Sequence, residues 1–119
     1  LVGEGDLSFG RALQRLCRQQ GRSLQVTSTT LLSKSELSCF FGSSVMETIA
    51  DLSRVGQAPL YSVDATALQS CKHLLAHLSN HASCDLLQWN FPFTAEDDAV
   101  DSHMNLMASF FFSAARLIL

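Results

Sequence analysis

The amino-acid sequence predicts an α/β fold in which a parallel β-sheet is covered by helices on both faces. Two observations support this prediction. Short runs of apolar and β-branched residues alternate with longer segments whose apolar residues recur at helical spacing. The chain has 119 residues, of which 47% are hydrophobic and 16% are charged, which is enough for the core of one domain. The expected architecture is Rossmann-like with right-handed crossovers. We expect residues 1–119 to form a single, incomplete domain that stops in the helix after its fourth strand.

The start of the chain predicts a strand, a helix and a second strand. Residues 1–2 are apolar and form the first strand. Apolar residues then recur at i, i+3, i+4, i+7 and i+8 over residues 9–17, which is the stripe of an amphipathic helix, and Gly21 is placed to end it. The short run at 24–28 contains β-branched residues and predicts the second strand.

Helical signals follow directly. Ser33 and Glu36 match a capping box, which predicts a short helix through Phe40. A second apolar stripe over 45–52 predicts another helix that ends near Gly56.

The second half of the chain repeats this alternation. Residues 60–63 predict the third strand, and the apolar spacing over 68–78 predicts a helix. Residues 84–89 predict the fourth strand, and the stripe over 106–118 predicts the last helix. Acidic residues within 96–101 precede that helix and suit the positive end of its dipole.

The overall charge argues against a domain that binds nucleic acid through a net positive charge. The net charge is −3 and the isoelectric point is near 5.7. Half of the eight basic residues nevertheless recur at helical spacing on the first predicted helix, opposite its apolar stripe. This basic stripe faces RNA or an acidic partner, or is an ordinary solvated helix face. Its residues are Arg11, Arg15, Arg18 and Arg22.

Two further patterns bear on location and metals. The four cysteines have no CxxC spacing, which favours a reduced intracellular compartment. The longest apolar stretch falls short of the ~20 residues that span a bilayer, so we expect no membrane span. His73, His77 and His81 recur at i, i+4 and i+8 near Cys84, a spacing that also suits zinc. They fall on the polar face of the predicted helix, so we expect exposed histidines and no metal site.

The predicted strand ends carry three candidate site motifs. Gly3, Glu4 and Gly5 form a glycine-rich turn before the first helix, although Ser8 occupies the position where a dinucleotide fingerprint has glycine. This turn either approaches a ligand closely or is a tight turn with a polar cap. Asp64 follows the third strand, where it either accepts a hydrogen bond from a ligand or caps a helix.

The fourth strand ends in a loop that combines an amide, a proline and two aromatic rings. Its residues are Asn90, Phe91, Pro92 and Phe93. The rings either stack on a flat base or are packed into the core.

Three motifs together resemble the ribosomal RNA uridine-N3 methyltransferase family, whose Rossmann-like domain also occurs in ferredoxin-fold anticodon-binding-domain-containing proteins. They are Leu-Val-Gly-Glu-Gly-Asp-Leu-Ser-Phe at 1–9, Val-Asp-Ala-Thr-Ala-Leu at 63–68 and Asn-Phe-Pro at 90–92. The resemblance implies that S-adenosylmethionine binds the turn, with Asp64 toward the adenosine and the loop at 90–93 beside the methyl group and the target base. The implied cofactor-binding residues are Gly3, Glu4, Gly5, Ser8, Phe9, Thr30, Asp64 and Ala65; the implied catalytic residues are Asn90, Phe91, Pro92 and Phe93.

The resemblance implies methylation of uridine N3 in RNA, with rRNA favoured over tRNA as the substrate. It implies a location in the nucleus and nucleolus, with the cytoplasm as the alternative. RNA contacts are expected from the basic stripe and from further C-terminal sequence. Two positions differ from the family pattern: Thr29 and Thr30 stand where relatives have an acidic residue, and Phe93 replaces a histidine. These differences favour an alternative, in which a catalytically degenerate methyltransferase fold serves as an RNA-associated binding or scaffold module.

Overall fold

The computed structural model describes residues 1–80, 84–90, 92 and 99–118. The elements in chain order are α1 (Ser8–Gln19), α2 (Lys34–Arg54), a 3-10 helix (Leu68–Ser70), α3 (Lys72–Ser79) and α4 (Ala99–Ile118). Each region for which the sequence predicts a helix is helical in the structure.

The predicted parallel sheet is wrong, because the described residues form no strand and no sheet. They contain two isolated parallel bridges, which pair Val2 with Trp89 and Thr29 with Leu60. A ladder needs consecutive pairs of extended residues, and left-handed residues end the first predicted strand and interrupt the third. Gly3 has a φ of 64° and Ser62 a φ of 54°. The β-branched runs are therefore extended segments that form isolated bridges instead of ladders, and the α/β class is not observed.

These extended segments nevertheless lie side by side, in the spatial order 60–63, 27–30, 1–4 and 88–89. Neighbouring segments are joined by backbone hydrogen bonds of 2.8–3.0 Å, from N–H to carbonyl: Val2 to Gln88, Thr29 to Leu1, Glu4 to Thr29, Leu60 to Ser28, Thr30 to Leu60 and Val63 to Thr30. Because the bridges are parallel, the residues that follow each segment meet at one end of the group.

Local signals at the helix ends are confirmed. Gly21, just beyond α1, has the left-handed φ of 64° that glycine supplies after a helix. Ser33 caps α2: its Oγ accepts from the Glu36 N–H at 3.3 Å, and Glu36 Oε2 accepts from the Ser33 N–H at 2.7 Å. Gly42, with φ 63° and ψ −147°, breaks α2 between the two helical stripes that the sequence predicts.

The predicted orientation of α1 is wrong. Its buried residues are Gly10 and Gln14, whereas Phe9 and Leu16 of the predicted apolar face are exposed. The contacts of α1 with the rest of the chain decide this orientation, because Gly10 lies directly against Ser28. Sequence periodicity shows which side chains share a helix face, and here tertiary contacts bury a different face.

Two apolar cores hold the elements together. The first is formed by Val2, Val63, Ala65, Leu68, Leu74, Phe110 and Ala114. The second is formed by Leu7, Leu37, Val45, Ile49 and Leu52. The first core joins the extended segments to α3 and α4, and the second joins the start of α1 to α2.

Polar and aromatic contacts fix α4. The fully buried Ser113 Oγ accepts from the Leu68 N–H at 2.6 Å and donates to Gln69 Oε1 at 2.6 Å, which anchors α4 on the 3-10 helix. The ring of Phe110 meets Trp89 edge to face, with centroids 4.9 Å apart. Of the acidic residues expected before α4, Asp101 lies in its first turn, and residues 96–98 fall outside the described ranges.

No helix in the described ranges combines the length and apolar composition that a membrane span requires. The four cysteines, all described, carry free thiols.

Candidate functional site

Residues 3–7 form a tight turn that leads into α1. Gly3 is required there, because its φ is 64° and a Cβ would lie 2.3 Å from Trp89 Nε1. Leu7 occupies the N-cap position of α1 with a φ of 62°, and it is fully buried in the second core. The turn is therefore fixed at both ends, by Trp89 and by the Leu7 side chain.

The Glu4 carboxylate lies beneath the start of α1. The residue is only 8% exposed, and Oε2 accepts a hydrogen bond from the Gly10 N–H at 2.9 Å. Leu7 has no side chain that can cap the helix, so Glu4 supplies the acceptor that a capping residue normally provides. Its negative charge also lies at the positive end of the helix dipole. Glu4 thus faces the helix and holds the turn against it.

Two unpaired oxygens lie beside Gly10, one from this carboxylate and one from Ser28. A Cβ on Gly10 would lie 2.1 Å from Ser28 Oγ and 2.8 Å from Glu4 Oε1, so both oxygens border the first turn of α1. Both are buried, and neither has a hydrogen-bond partner within the described part of the chain; the same holds for Thr29 Oγ1. An unpaired buried polar group costs about 1–3 kcal/mol, so the pair formed by Glu4 Oε1 and Ser28 Oγ beside the glycine turn marks a candidate site.

Asp64 forms a turn of its own rather than the helix cap that was the alternative. Oδ1 accepts from the Thr66 N–H at 2.8 Å and from the Thr66 hydroxyl at 2.7 Å. The other oxygen, Oδ2, makes no hydrogen bond to a described residue, and the side chain is exposed. Ala65, beside it, is buried in the first core. Asp64 therefore presents one unpaired carboxylate oxygen.

Asn90 lies beside the glycine turn, because the bridge between Val2 and Trp89 sets it opposite Gly3. Its Oδ1 accepts from Gln88 Nε2 at 2.6 Å, and the residue is half-buried. Pro92 is also half-buried. Of the predicted catalytic loop, Phe91 and Phe93 lie outside the described residues.

The structure brings three of the predicted motifs to one end of the extended segments. The order across this end is Asp64, Thr30, the turn at 3–5 and Asn90, following the order of the segments that precede them. Thr30 itself is buried, and its Oγ1 accepts from the Leu32 N–H at 3.3 Å. Ser8 and Phe9 lie in the first turn of α1 and are exposed. The solvent-accessible residues that follow the segments at this end are thus Gly5, Asp64 and Asn90, whereas Thr30 is turned inward.

Sequence reasoning missed several residues that shape this end. Gly10 and Ser28 form the close contact beneath α1, and Trp89 packs on Gly3. Phe41, 39% exposed, comes from the break in α2, and its Cζ would lie 3.8 Å from a Cβ on Gly5. No local pattern in the sequence connects these residues, since each pair is formed by the tertiary fold. The glycine at position 42 was the available signal for the break.

The predicted basic stripe is divided by its contacts. Arg11 and Arg15 both donate to Asp51 Oδ2 of α2, Arg15 at 2.8 Å, and Arg54 donates to Oδ1 of the same carboxylate at 2.8 Å. Arg11 also donates to Thr48 Oγ1 at 3.3 Å. Arg18 and Arg22 are exposed. Arg11 is therefore not part of a solvated helix face, because it ties α1 to α2.

Asp51→Asn is expected to lower the melting temperature at pH 7 and to reduce its dependence on pH. The hydrogen bond from Arg11 is the largest cause and lowers the pKa of Asp51; burial, the next largest, opposes it, and the hydrogen bonds from Arg54 and Arg15 lower the pKa further. A lowered carboxyl pKa stabilises the fold above the unfolded value of about 4, and that stabilisation is lost as pH falls through the folded pKa. Thermal unfolding from pH 7 to 3 tests this, with Glu47→Gln as a control one helical turn away. Parallel pH curves for parent and Asp51→Asn would contradict it.

The histidines expected at helical spacing are engaged separately. His73 Nε2 lies 2.9 Å from the Tyr61 carbonyl oxygen, and His77 Nε2 lies 2.9 Å from Thr27 Oγ1. His81 falls outside the described ranges. Within those ranges, no three His, Cys, Asp or Glu side chains are grouped to hold a metal ion.

A cavity of about 360 Å³ lies at the opposite end of the extended segments, lined by residues that include Leu1, Thr27 and Cys84. None of the predicted cofactor-binding residues lines it.

Comparison with known protein families identifies the chain as methyltransferase-like. A model of RNA-modifying methyltransferases matches residues 1–119. Its description is rRNA (uridine-N3-)-methyltransferase BTM5-like, and the chain belongs to this family. The family predicted from the three motifs is thereby confirmed. No curated protein matches the chain, and no solved structure matches it.

Proposed function

We propose that residues 1–119 form an S-adenosylmethionine-binding domain of an enzyme that methylates N3 of a uridine in rRNA. The family match supports the reaction. The geometric observation behind the proposal is that backbone hydrogen bonds bring the glycine turn, Asp64 and Asn90 to one end of the extended segments. An rRNA substrate implies an intracellular site of action, in the nucleus and nucleolus by resemblance or in the cytoplasm.

The side chains at this end fit S-adenosylmethionine better than a cofactor that binds through phosphates. A phosphate is usually held by the free N–H groups at a helix N-terminus. At the N-terminus of α1, the buried Glu4 carboxylate already accepts a hydrogen bond from the Gly10 N–H and places a negative charge beside it. A sulfonium cofactor carries no phosphate, so this carboxylate does not repel it. Asp64 Oδ2 is available to accept a hydrogen bond from the adenine amino group or a ribose hydroxyl.

When bound, S-adenosylmethionine supplies a methyl group on a positively charged sulfur. The residues of the chain then need to orient the base so that N3 lies in line with that methyl group. Because Asn90 Oδ1 accepts from Gln88, the side-chain amide is oriented and its Nδ2 donors point elsewhere. We assign Nδ2 to a uracil carbonyl oxygen beside N3, which positions the ring and stabilises negative charge as the N3 proton passes to solvent water.

The proposed function is tested by calorimetric titration of the full-length protein with S-adenosylmethionine and with its demethylated product. Binding of both, followed by transfer of a tritiated methyl group to rRNA, is the expected result. The position of the methyl group is read by nucleoside mass spectrometry. If neither compound binds at millimolar concentration, the proposal is overturned.

A second candidate function is a degenerate methyltransferase domain that binds RNA without catalysis. The observation in its favour is Thr30, which stands where relatives carry an acidic residue and is buried with its hydroxyl engaged. This end of the second segment therefore offers no carboxylate to the ribose. RNA binding without S-adenosylmethionine binding would select this alternative.

Asp64→Asn is expected to weaken S-adenosylmethionine binding by about 1–2 kcal/mol, or roughly fivefold to thirtyfold, because a charge-assisted hydrogen bond becomes a neutral one. The melting temperature should not change, since the asparagine oxygen can accept from Thr66 as Asp64 Oδ1 does. Calorimetry and thermal unfolding measure the two quantities. Asp85→Asn, at the opposite end of the segments, is the control. Unaltered affinity would leave Asp64 with a purely structural role in its turn.

A further inference from the structure

Three arginines share a single carboxylate on the surface between α1 and α2. Arg11, Arg15 and Arg54 all donate to Asp51, and we call these four residues the arginine cluster. Arg15 and Arg54 are 58% and 73% exposed at their side chains, so most of their donors face solvent. Arg18, one turn beyond Arg15, is also exposed, whereas Glu47, one turn before Asp51, adds one negative charge. The surface keeps an excess of positive charge in a chain whose net charge is −3.

An open, shallow groove runs along α1 beside this cluster, and all of its lining residues lie on one face of this helix: Ser8, Arg11, Ala12, Arg15, Leu16 and Gln19. Its two arginines alternate along the helix with the apolar side chains of Ala12 and Leu16. Ser8 is the first residue of α1 and directly follows the glycine turn. The groove therefore begins at the candidate cofactor site and leads away from it over the basic surface.

We infer that this groove binds the phosphate backbone of the RNA strand that carries the target nucleotide. The inference rests on the proposed function and adds the place where the RNA lies. Guanidinium groups present paired N–H donors that match phosphate oxygens, and Asp51 holds the arginines in fixed directions without neutralising them. Contact with phosphates gives affinity without base specificity. Because the groove is continuous with the glycine turn, it also sets which nucleotide of the RNA reaches the candidate cofactor site.

Arg15→Gln and Arg54→Gln are expected to weaken binding of a uridine-containing single-stranded RNA oligonucleotide about threefold to tenfold each. The slope of log affinity against log salt should fall by about 0.7 for each phosphate that the variant no longer neutralises. The melting temperature should change little, because both side chains are largely exposed and Arg11, the largest cause of the lowered Asp51 pKa, is retained. Arg22→Gln, an exposed arginine beyond the end of α1, is the matched control. Fluorescence anisotropy with full-length protein measures these affinities across a salt series.

Titration of each variant with S-adenosylmethionine separates this inference from the proposed function. Normal cofactor binding with weakened RNA binding is the expected result. If RNA affinity and its salt slope are unchanged in both variants, or if Arg22→Gln weakens binding equally, the groove is not the RNA site. If polyglutamate binds the parent and not the variants while RNA binds all of them, the partner is an acidic protein and the inference is overturned. Failure of the parent itself to bind the cofactor would instead overturn the proposed function.

Discussion

Gly10→Ala is expected to destabilise the protein by roughly 1–3 kcal/mol, the usual cost of overpacking a buried contact. The new methyl carbon would lie 2.1 Å from Ser28 Oγ, 3.3 Å from Ser28 Cβ and 2.8 Å from Glu4 Oε1. Rotation of the serine hydroxyl relieves only the first contact, because Cβ is fixed to the backbone. In an ordinary helix the same change is stabilising by up to ~1 kcal/mol through helix propensity. The steric cost is the larger of the two, so the sign of the change is reversed.

Chemical denaturation of Gly10→Ala measures this effect, and a second variant identifies its cause. Ser28→Gly removes both Oγ and Cβ from the contact, so Gly10→Ala placed in that background should recover most of the stability. This coupling is what distinguishes a specific clash from a general disturbance of α1. A higher melting temperature for Gly10→Ala than for the parent would mean that α1 does not pack on Ser28.

Gly5→Val is expected to reduce S-adenosylmethionine affinity by about a hundredfold while leaving the fold intact. Unlike Gly3, Gly5 has no left-handed φ, and the atom that a Cβ meets is Phe41 Cζ at 3.8 Å, an ordinary contact. The added side chain therefore extends into the exposed end of the segments, where the proposed cofactor approaches the turn. Steric exclusion at such close range costs roughly 3 kcal/mol of binding.

Calorimetric titration alongside thermal unfolding tests Gly5→Val. Ala50→Val adds a similar branched side chain at an exposed position of α2 and should leave affinity unchanged, with only the small loss of stability that the lower helix propensity of valine brings. Gly3→Ala makes a second comparison, since the 2.3 Å approach to Trp89 Nε1 predicts a loss of stability there. Full cofactor affinity in a folded Gly5→Val protein would remove this turn from the site.

Helices were predicted well because their signals are local. The Ser33 and Glu36 pair that caps α2 is contained in four residues, and each partner finds the other within one turn. The same is true of Gly21, which supplies its left-handed φ without help from the rest of the chain. Such signals depend little on tertiary structure, so reading them in the sequence is enough.

Strands and buried faces were not predicted correctly, since both depend on distant partners. Val2 is extended as expected, but the left-handed Gly3 follows it at once and leaves a single bridge to Trp89, far along the chain. For α1, the apolar stripe predicted a buried Phe9, whereas contact with Ser28 buries Gly10 instead. The role of Glu4 beneath the helix was hidden for the same reason. Its motif was recognised, but its hydrogen-bond partner is known only from the fold.

The position of Trp89 gives the protein a built-in spectroscopic reporter. It is the one tryptophan of the chain. Its indole lies against Gly3 and also meets Phe110 of α4 edge to face. Intrinsic emission excited at the indole band therefore comes from the junction between the glycine turn and α4. Changes in the packing of that junction are observable as shifts in emission, without a label.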